Sequence, residues 1–189
     1  MARTFSAKKS KAGKEIKCGR CSTVIQPGEQ YFYFSVGFRG SKQYRCHLHH
    51  PLQSELCGSK MSGAYAANEQ LESAIGTAES LEDLASILES TAEEIEGVRD
   101  EYQDSYDNLP DNFRDGDMGS EMQEKIDGLD SYASILNDKA SEIRGLEPDE
   151  DTDDHSPVAE GEAVEPEPKE DLMDAARDLA EEALGEFSL

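Results

Sequence analysis

The sequence predicts an α+β chain in which a small metal-ordered β module precedes a helical body. Three observations predict it. Four cysteines and three of the four histidines fall within the first 57 of 189 residues. Beyond residue 59, apolar residues recur at helical spacing. Charge divides the chain at the same place. Residues 1–60 carry eleven Lys/Arg against three acids and residues 61–189 carry seven against thirty-nine, within a net charge of −24. Such a split implies two jobs for the two halves, or one half masking the other.

Composition narrows the function classes. A chain 36% hydrophobic and 7% aromatic, with no Trp, has little material for a large enzyme core. No apolar run approaches a membrane span, so no membrane partner is expected. The amino-terminus is basic and lacks the apolar segment of a secretory signal. All four cysteines cluster instead of spreading as a disulfide framework, which points to a reducing, cytoplasmic compartment.

Residues 1–15 read as a flexible basic arm, with Lys and Arg interspersed with Gly and Ser. Residues 16–58 read as a small treble-clef-like zinc finger with a β-hairpin. Cys18-x2-Cys21 precedes Cys46-x2-His49, and each pair can span one edge of the tetrahedron that Zn²⁺ requires. Cys57, His47 and His50 are rival fourth ligands on spacing alone. Gly19 sits inside the first pair, where a tight turn directs backbone N–H groups at thiolates. Residues 31–36 alternate as a strand, with Phe32, Phe34 and Val36 on one face and Tyr31 and Tyr33 on the other. Arg39-Gly40-Ser41 reads as the hairpin turn and Lys42–Arg45 as the partner strand. Four protein ligands leave no position for an activated water, so the site reads as structural and the chain as non-enzymatic. Tyr31 and Tyr33 in a basic setting of Arg20, Arg39, Lys42 and Arg45 suggest stacking on bases and neutralisation of phosphates. The same rings also suit a plain mini-core.

Residues 59–146 read as an antiparallel helical hairpin of coiled-coil type. A first helix spans about Ser62 to Ile75. Ser80, with Asp83 in the capping-box position, starts a second, along which Leu81, Leu84, Leu88, Thr91, Ile95, Val98 and Tyr102 keep a 3-4 spacing. Pro110, Gly116 and Gly119 mark a break. Ser120-x-x-Gln123 reads as another capping box, before Met122, Leu129, Leu136 and Ile143 recur every seven residues. The acids of 107–117 lack the ligand spacing of a calcium loop. A homodimer through a remaining helical face is a further expectation. Residues 147–170, acidic and Pro-containing, read as a disordered linker. Residues 171–189 read as an amphipathic helix whose Leu172, Leu179 and Phe187 would dock a protein partner.

Two resemblances follow from these motifs. The segment from Cys18 to His49 resembles the poly(ADP-ribose) polymerase-type zinc finger, which has a Cys-x2-Cys pair, a basic and apolar hairpin with a Gly turn, and a second His/Cys pair. That resemblance implies recognition of DNA ends or breaks. Here the second pair runs Cys46 then His49, the reverse order, over a shorter spacer. Over residues 1–146 the chain is also similar to a family of small proteins encoded by bacterial and archaeal viruses. Pro-Gly-Glu-Gln-Tyr-Phe-Tyr-Phe, Tyr-Arg-Cys-x2-His-His-Pro-x2-Ser-Glu-Leu and Tyr-Asp-Asn-Leu-Pro-Asp-Asn-Phe-Arg-Asp-Gly-Asp carry the likeness. It implies a viral origin, a host-cytoplasmic location and a hydroxyl residue in place of Cys57, which favours His49 as the fourth ligand. The expected function is a zinc-finger adaptor that touches nucleic acid through its first module and protein through its helices. A protein-interaction module without nucleic-acid contact is the alternative.

Overall fold

The computed structural model describes residues 6–37, 40–146 and 169–187. Arg39, residues 1–5 and the acidic stretch 147–168 lie outside that range, as do the expectations placed on them. Within it, strands come first and helices follow.

A three-stranded antiparallel sheet is built around β4 (Gln30–Phe34), with β1 (Lys8–Lys11) on one side and β5 (Gln43–Cys46) on the other. Across it, Lys9 faces Phe32 and Phe32 faces Arg45, while Ser10 faces Tyr31 and Tyr31 faces Cys46. A second ribbon pairs β2 (Ile16–Lys17) with β3 (Val24–Ile25). The first strand corrects, over residues 8–11, the expectation that residues 1–15 form a flexible arm. Lys-Lys-Ser-Lys carries no apolar alternation, but its backbone completes the open edge of β4, where unpaired N–H and C=O groups would otherwise need water. The pairing extends past the strand, with Ala12 N–H donating to Glu29 O at 2.9 Å and Gly28 N–H to Ala12 O at 2.8 Å.

A single turn, α1 (Gln53–Leu56), leads from the sheet into α2 (Met61–Ile75). The long hairpin follows: α3 (Leu81–Asp107), a turn of helix α4 (Asp111–Arg114), and α5 (Asp117–Arg144). Ser80 caps α3, its Oγ accepting the Asp83 N–H at 3.1 Å. The predicted seam is buried along both helices, with Leu84, Leu88, Thr91, Ile95, Val98 and Tyr102 on α3, and Ile126, Leu129, Ala133, Leu136, Ala140 and Ile143 on α5. Fully burying one such Leu or Ile contributes about 1.5–3 kcal/mol, so this seam is the main source of cohesion. The helices run antiparallel. Arg144 at the end of α5 pairs with Glu82 and Glu89 near the start of α3, and Arg99 meets Asp130 at 2.7 Å midway.

Helix α5 begins earlier than the Ser120 capping box predicts. Gly116 is its N-cap and Ser120 already lies inside the helix, its N–H donating to Gly116 O at 3.1 Å. The preceding turn sets this start: a Cβ on Gly119 would collide with the Arg114 backbone, so only glycine lets α4 and α5 abut there.

The last helix, α6 (Lys169–Gly185), packs on the same core. Ala176, Ala180 and Ala183 are fully buried, and Leu179, Leu184 and Phe187 pack against the core beside them. The Phe187 ring lies 5.5 Å from Tyr65 of α2, edge-on, and 4.9 Å from Tyr132 of α5. Lys139 reaches Glu182 at 2.9 Å across the α5–α6 contact. The stripe expected to receive a partner packs on the chain's own bundle: Leu179 and Phe187 are half-buried against it, and Leu172 is half-buried at its near end. Four helices, α2, α3, α5 and α6, share one core, separate from the small finger core of Ala12, Cys18, Ile25 and Cys46. Among the described residues, no helix is long and apolar enough to cross a membrane.

Candidate metal centre and tyrosine face

The first ligand pair sits in the bend between β2 and β3. Cys18 N–H donates to Thr23 O at 2.9 Å and Ser22 N–H to Cys18 O at 3.0 Å, which closes the turn around the thiols. The left-handed residue of this turn is Ser22, at φ 58°, and not Gly19. Glycine leaves room at 19 for another reason: a Cβ there would displace the Arg45 guanidinium, and Gly19 N–H donates to Tyr44 O at 2.9 Å. This close approach ties the first knuckle to β5. The second pair begins on the last residue of β5, and His49 N–H returns to Cys46 O at 3.0 Å.

These two bends bring Cys18, Cys21, Cys46 and His49 together, with all four ligand atoms within 4.8 Å of one another. Cys21 Sγ lies 3.9 Å from Cys46 Sγ, Cys46 Sγ 3.2 Å from His49 Nδ1, and Cys18 Sγ 4.0 Å from His49 Nδ1. A regular tetrahedron of thiolates at the usual metal–sulfur length of about 2.3 Å has edges of about 3.8 Å. The cluster already has that size, and all four cysteines of the chain are free thiols. The donor set can therefore hold one metal ion, with the imidazole bonding through Nδ1.

The electrostatics favour thiolates at one end of the cluster. Burial opposes ionisation of Cys18, but backbone groups of Cys21, Cys46 and Arg20 directed at its sulfur outweigh that cost and bring the thiol down to about 6; among them, Cys46 N–H lies 3.4 Å away. Cys46 shifts the other way, raised by burial and by the neighbouring Cys18 and Cys21 sulfurs. Negative charge on neighbouring sulfurs is mutually repulsive, and a cation bound between them would offset that repulsion.

The rival ligands lie elsewhere. Cys57 is buried in the helical core, with its sulfur 3.1 Å from Ser59 Oγ. His47 is exposed, and His50 packs its ring 4.4 Å from Phe32.

The six residues proposed to contact nucleic acid do not form one surface. Arg45 is a correction: it is 7% exposed and forms a bidentate ion pair with Glu55, its Nε 3.1 and 3.2 Å from the two carboxylate oxygens. Its Nη1 donates to Tyr44 O at 2.9 Å and its guanidinium lies 5.3 Å from the Phe34 ring centre. Buried and paired with Glu55, Arg45 pins the sheet to α1 instead of standing on the surface as a phosphate contact. Arg20 is exposed, but lines a groove toward α2 that also contains Ser54, Glu55 and Glu69. Arg39 lies outside the described residues. Tyr31, Tyr33 and Lys42 do come together, on the face of the sheet opposite Phe34 and Arg45. Tyr44, which sequence reasoning missed, joins them, because it stands directly across from Tyr33. So does Lys8, across from Tyr33 on β1. Period-2 pairing of Tyr31 and Tyr33 with the Tyr-x-Cys of β5 was the available signal.

Neither protein-family models nor curated proteins nor solved structures give a match to this chain.

Proposed function

We propose that this chain is a non-enzymatic nucleic-acid-binding adaptor, with a finger ordered by one structural Zn²⁺ and carried on an acidic helical body. The observation that supports it most is the closed Cys18–Cys21–Cys46–His49 set, whose size and donors suit tetrahedral Zn²⁺. Thiolates with one imidazole favour zinc over magnesium or calcium, which take oxygen ligands. The sequence of knuckle, hairpin and following helical turn supports a treble-clef reading of the finger. Filling all four positions with protein leaves none for a reacting water, so the ion supports folding. A finger whose core is Ala12, Cys18, Ile25 and Cys46 buries too little to hold its shape by itself. The basic sheet with its tyrosines then serves nucleic acid, and the acidic bundle keeps that contact confined to the finger.

Elemental analysis of the purified chain should give one zinc per molecule, and a gel shift with the full chain should weaken steeply as salt rises. Absence of stoichiometric zinc, with a fold unchanged in strong chelator, would overturn the metal half. Absence of any shift at low salt would overturn the nucleic-acid half. A second reading, a protein-binding module without nucleic-acid contact, is favoured by the apolar side chains left outside both cores: Leu48 at 74% exposed on the finger, and Phe113 and Met118 at the tip of the hairpin. A finger that captures protein while ignoring oligonucleotides at every salt concentration would establish it.

A further inference from the structure

The tyrosine face allows the ligand class to be narrowed, given that the finger binds nucleic acid at all. Tyr31 and Tyr33 have ring centres 5.9 Å apart, and Tyr31 and Tyr44 are also 5.9 Å apart. The three rings are half-buried, so each holds its place against a neighbour while presenting some of its surface to solvent. Lys42 Nζ lies 5.5 Å from the Tyr33 ring centre, and Lys8 is the cross-strand partner of Tyr33 on the other side. Both lysines are exposed. The three carboxylates of residues 1–60 do not crowd this face in any contact. Glu55 is held by Arg45 on the opposite side of the sheet, Glu29 accepts the Gln26 N–H at 2.7 Å in a turn, and Glu15 is exposed between β1 and β2. The arrangement is a row of aromatic rings bordered by amines.

We propose that this Tyr31–Tyr33–Tyr44 face, bordered by Lys8 and Lys42, is a binding platform for single-stranded nucleic acid. Three arguments select the single strand. Rings lying in a sheet meet the flat faces of bases, and a duplex hides those faces inside its own stack. Reading a duplex groove calls for a helix or ribbon that presents polar side chains to base edges. The finger's own helix, α1, is one turn long and is spent on Arg45 and α2: its Ser54 N–H donates to Glu69 at 3.1 Å. Finally, a duplex brings twice the charge per unit length of one strand toward a chain of net charge −24. Two flanking lysines balance a few phosphates of one strand but not two backbones and the field of the bundle.

The test uses the zinc-loaded full chain and three labelled probes of mixed sequence: a short DNA strand, the matching RNA strand, and the annealed DNA duplex. Fluorescence anisotropy at low salt should show at least one of the strands binding about tenfold or more tighter than the duplex. Because the chain has seven Tyr and no Trp, strand binding should also quench its intrinsic tyrosine emission. Tyr33→Leu and Tyr44→Leu should each weaken strand binding by about 5- to 150-fold, the effect of losing one stacked base, whereas Tyr33→Phe and Tyr44→Phe should retain it. Zinc content and melting temperature, measured on every variant, separate lost stacking from lost folding. Equal or tighter duplex binding, or Leu variants that fold and bind the strand as well as the parent, would overturn this platform while leaving the nucleic-acid reading standing. Failure of all three probes to bind at low salt would overturn both.

Discussion

At the scale of single residues, two charged or thiol groups have roles that their chemistry alone disguises. Arg45 resembles a phosphate contact in the sequence, yet its two-pronged pairing with Glu55 makes it a strut between sheet and helix. Glu55→Gln keeps the shape and removes the charge. It should destabilise the finger by about 1.5–3 kcal/mol, the range for a hydrogen bond to a charged group, read as weaker resistance to chelator, with strand affinity per folded molecule unchanged. Arg45→Lys should cost nearly as much, because an ammonium cannot reproduce the fork. Cys57 looks interchangeable with the ligand thiols but sits in the other core. Cys57→Ser should therefore retain one metal ion per chain, whereas Cys46→Ser or His49→Ala should lose it. Retention of full metal content by Cys46→Ser would show that the ligand set is misassigned. In the metal-free finger, one pH-dependent contribution comes from the depressed Cys18 thiol. Its folded pKa of about 6 lies below the ordinary thiol value, so any stability it lends is complete above that ordinary value and is lost as pH falls through about 6.

At the scale of elements, the boundaries of α3 and α5 give a paired test. Ser80 caps α3, whereas Ser120 is exposed inside α5. Ser80→Ala should cost about 0.5–2 kcal/mol in chemical denaturation, and Ser120→Ala should stay within about 0.5 kcal/mol. Comparable losses at both positions would place the start of α5 at Ser120 after all. The contrast also shows which parts of the fold could be read from the sequence. Helices α3 and α5 were legible because each repeats an apolar stripe over many turns, and the buried seams fall on those residues; α2 was legible from its run of strong helix formers. The Cys18, Cys21, Cys46 and His49 quartet was legible because ligand spacing is local within each pair. Strand β1 was not, because Lys-Lys-Ser-Lys has no pattern of its own and takes its form from the edge of β4. The start of α5 was misread because a glycine packed against the Arg114 backbone outranked a serine with capping chemistry. Tyr44 was missed because its role depends on register with Tyr33, which is a property of two strands together.

At the scale of the whole molecule, α6 changes what the acidic segment can do. An amphipathic stripe in the sequence does not say whose groove it fills; here the groove belongs to α2 and α5 of the same chain, closed by Phe187 against Tyr65 and Tyr132. Phe187→Ala should lower stability by about 1–2 kcal/mol, part of the value of a fully buried aromatic. In the sequence, residues 147–168 connect α5 to α6 and carry a dense run of Asp and Glu. Covalent linkage to the same chain gives these carboxylates an effective concentration at the finger that a free competitor lacks. Competition of such carboxylates with phosphate for the finger lysines would be strongest at low salt and would fade as the screening length shrinks. Replacing the Asp and Glu of 147–168 by Asn and Gln, with α6 left in place to preserve the bundle, should therefore raise affinity for a single strand at low ionic strength. The gain should shrink toward nothing as salt is increased. Parallel titrations of parent and neutralised chain across salt concentration would measure it, and coincident curves throughout would mean that the acidic segment does not act on the finger.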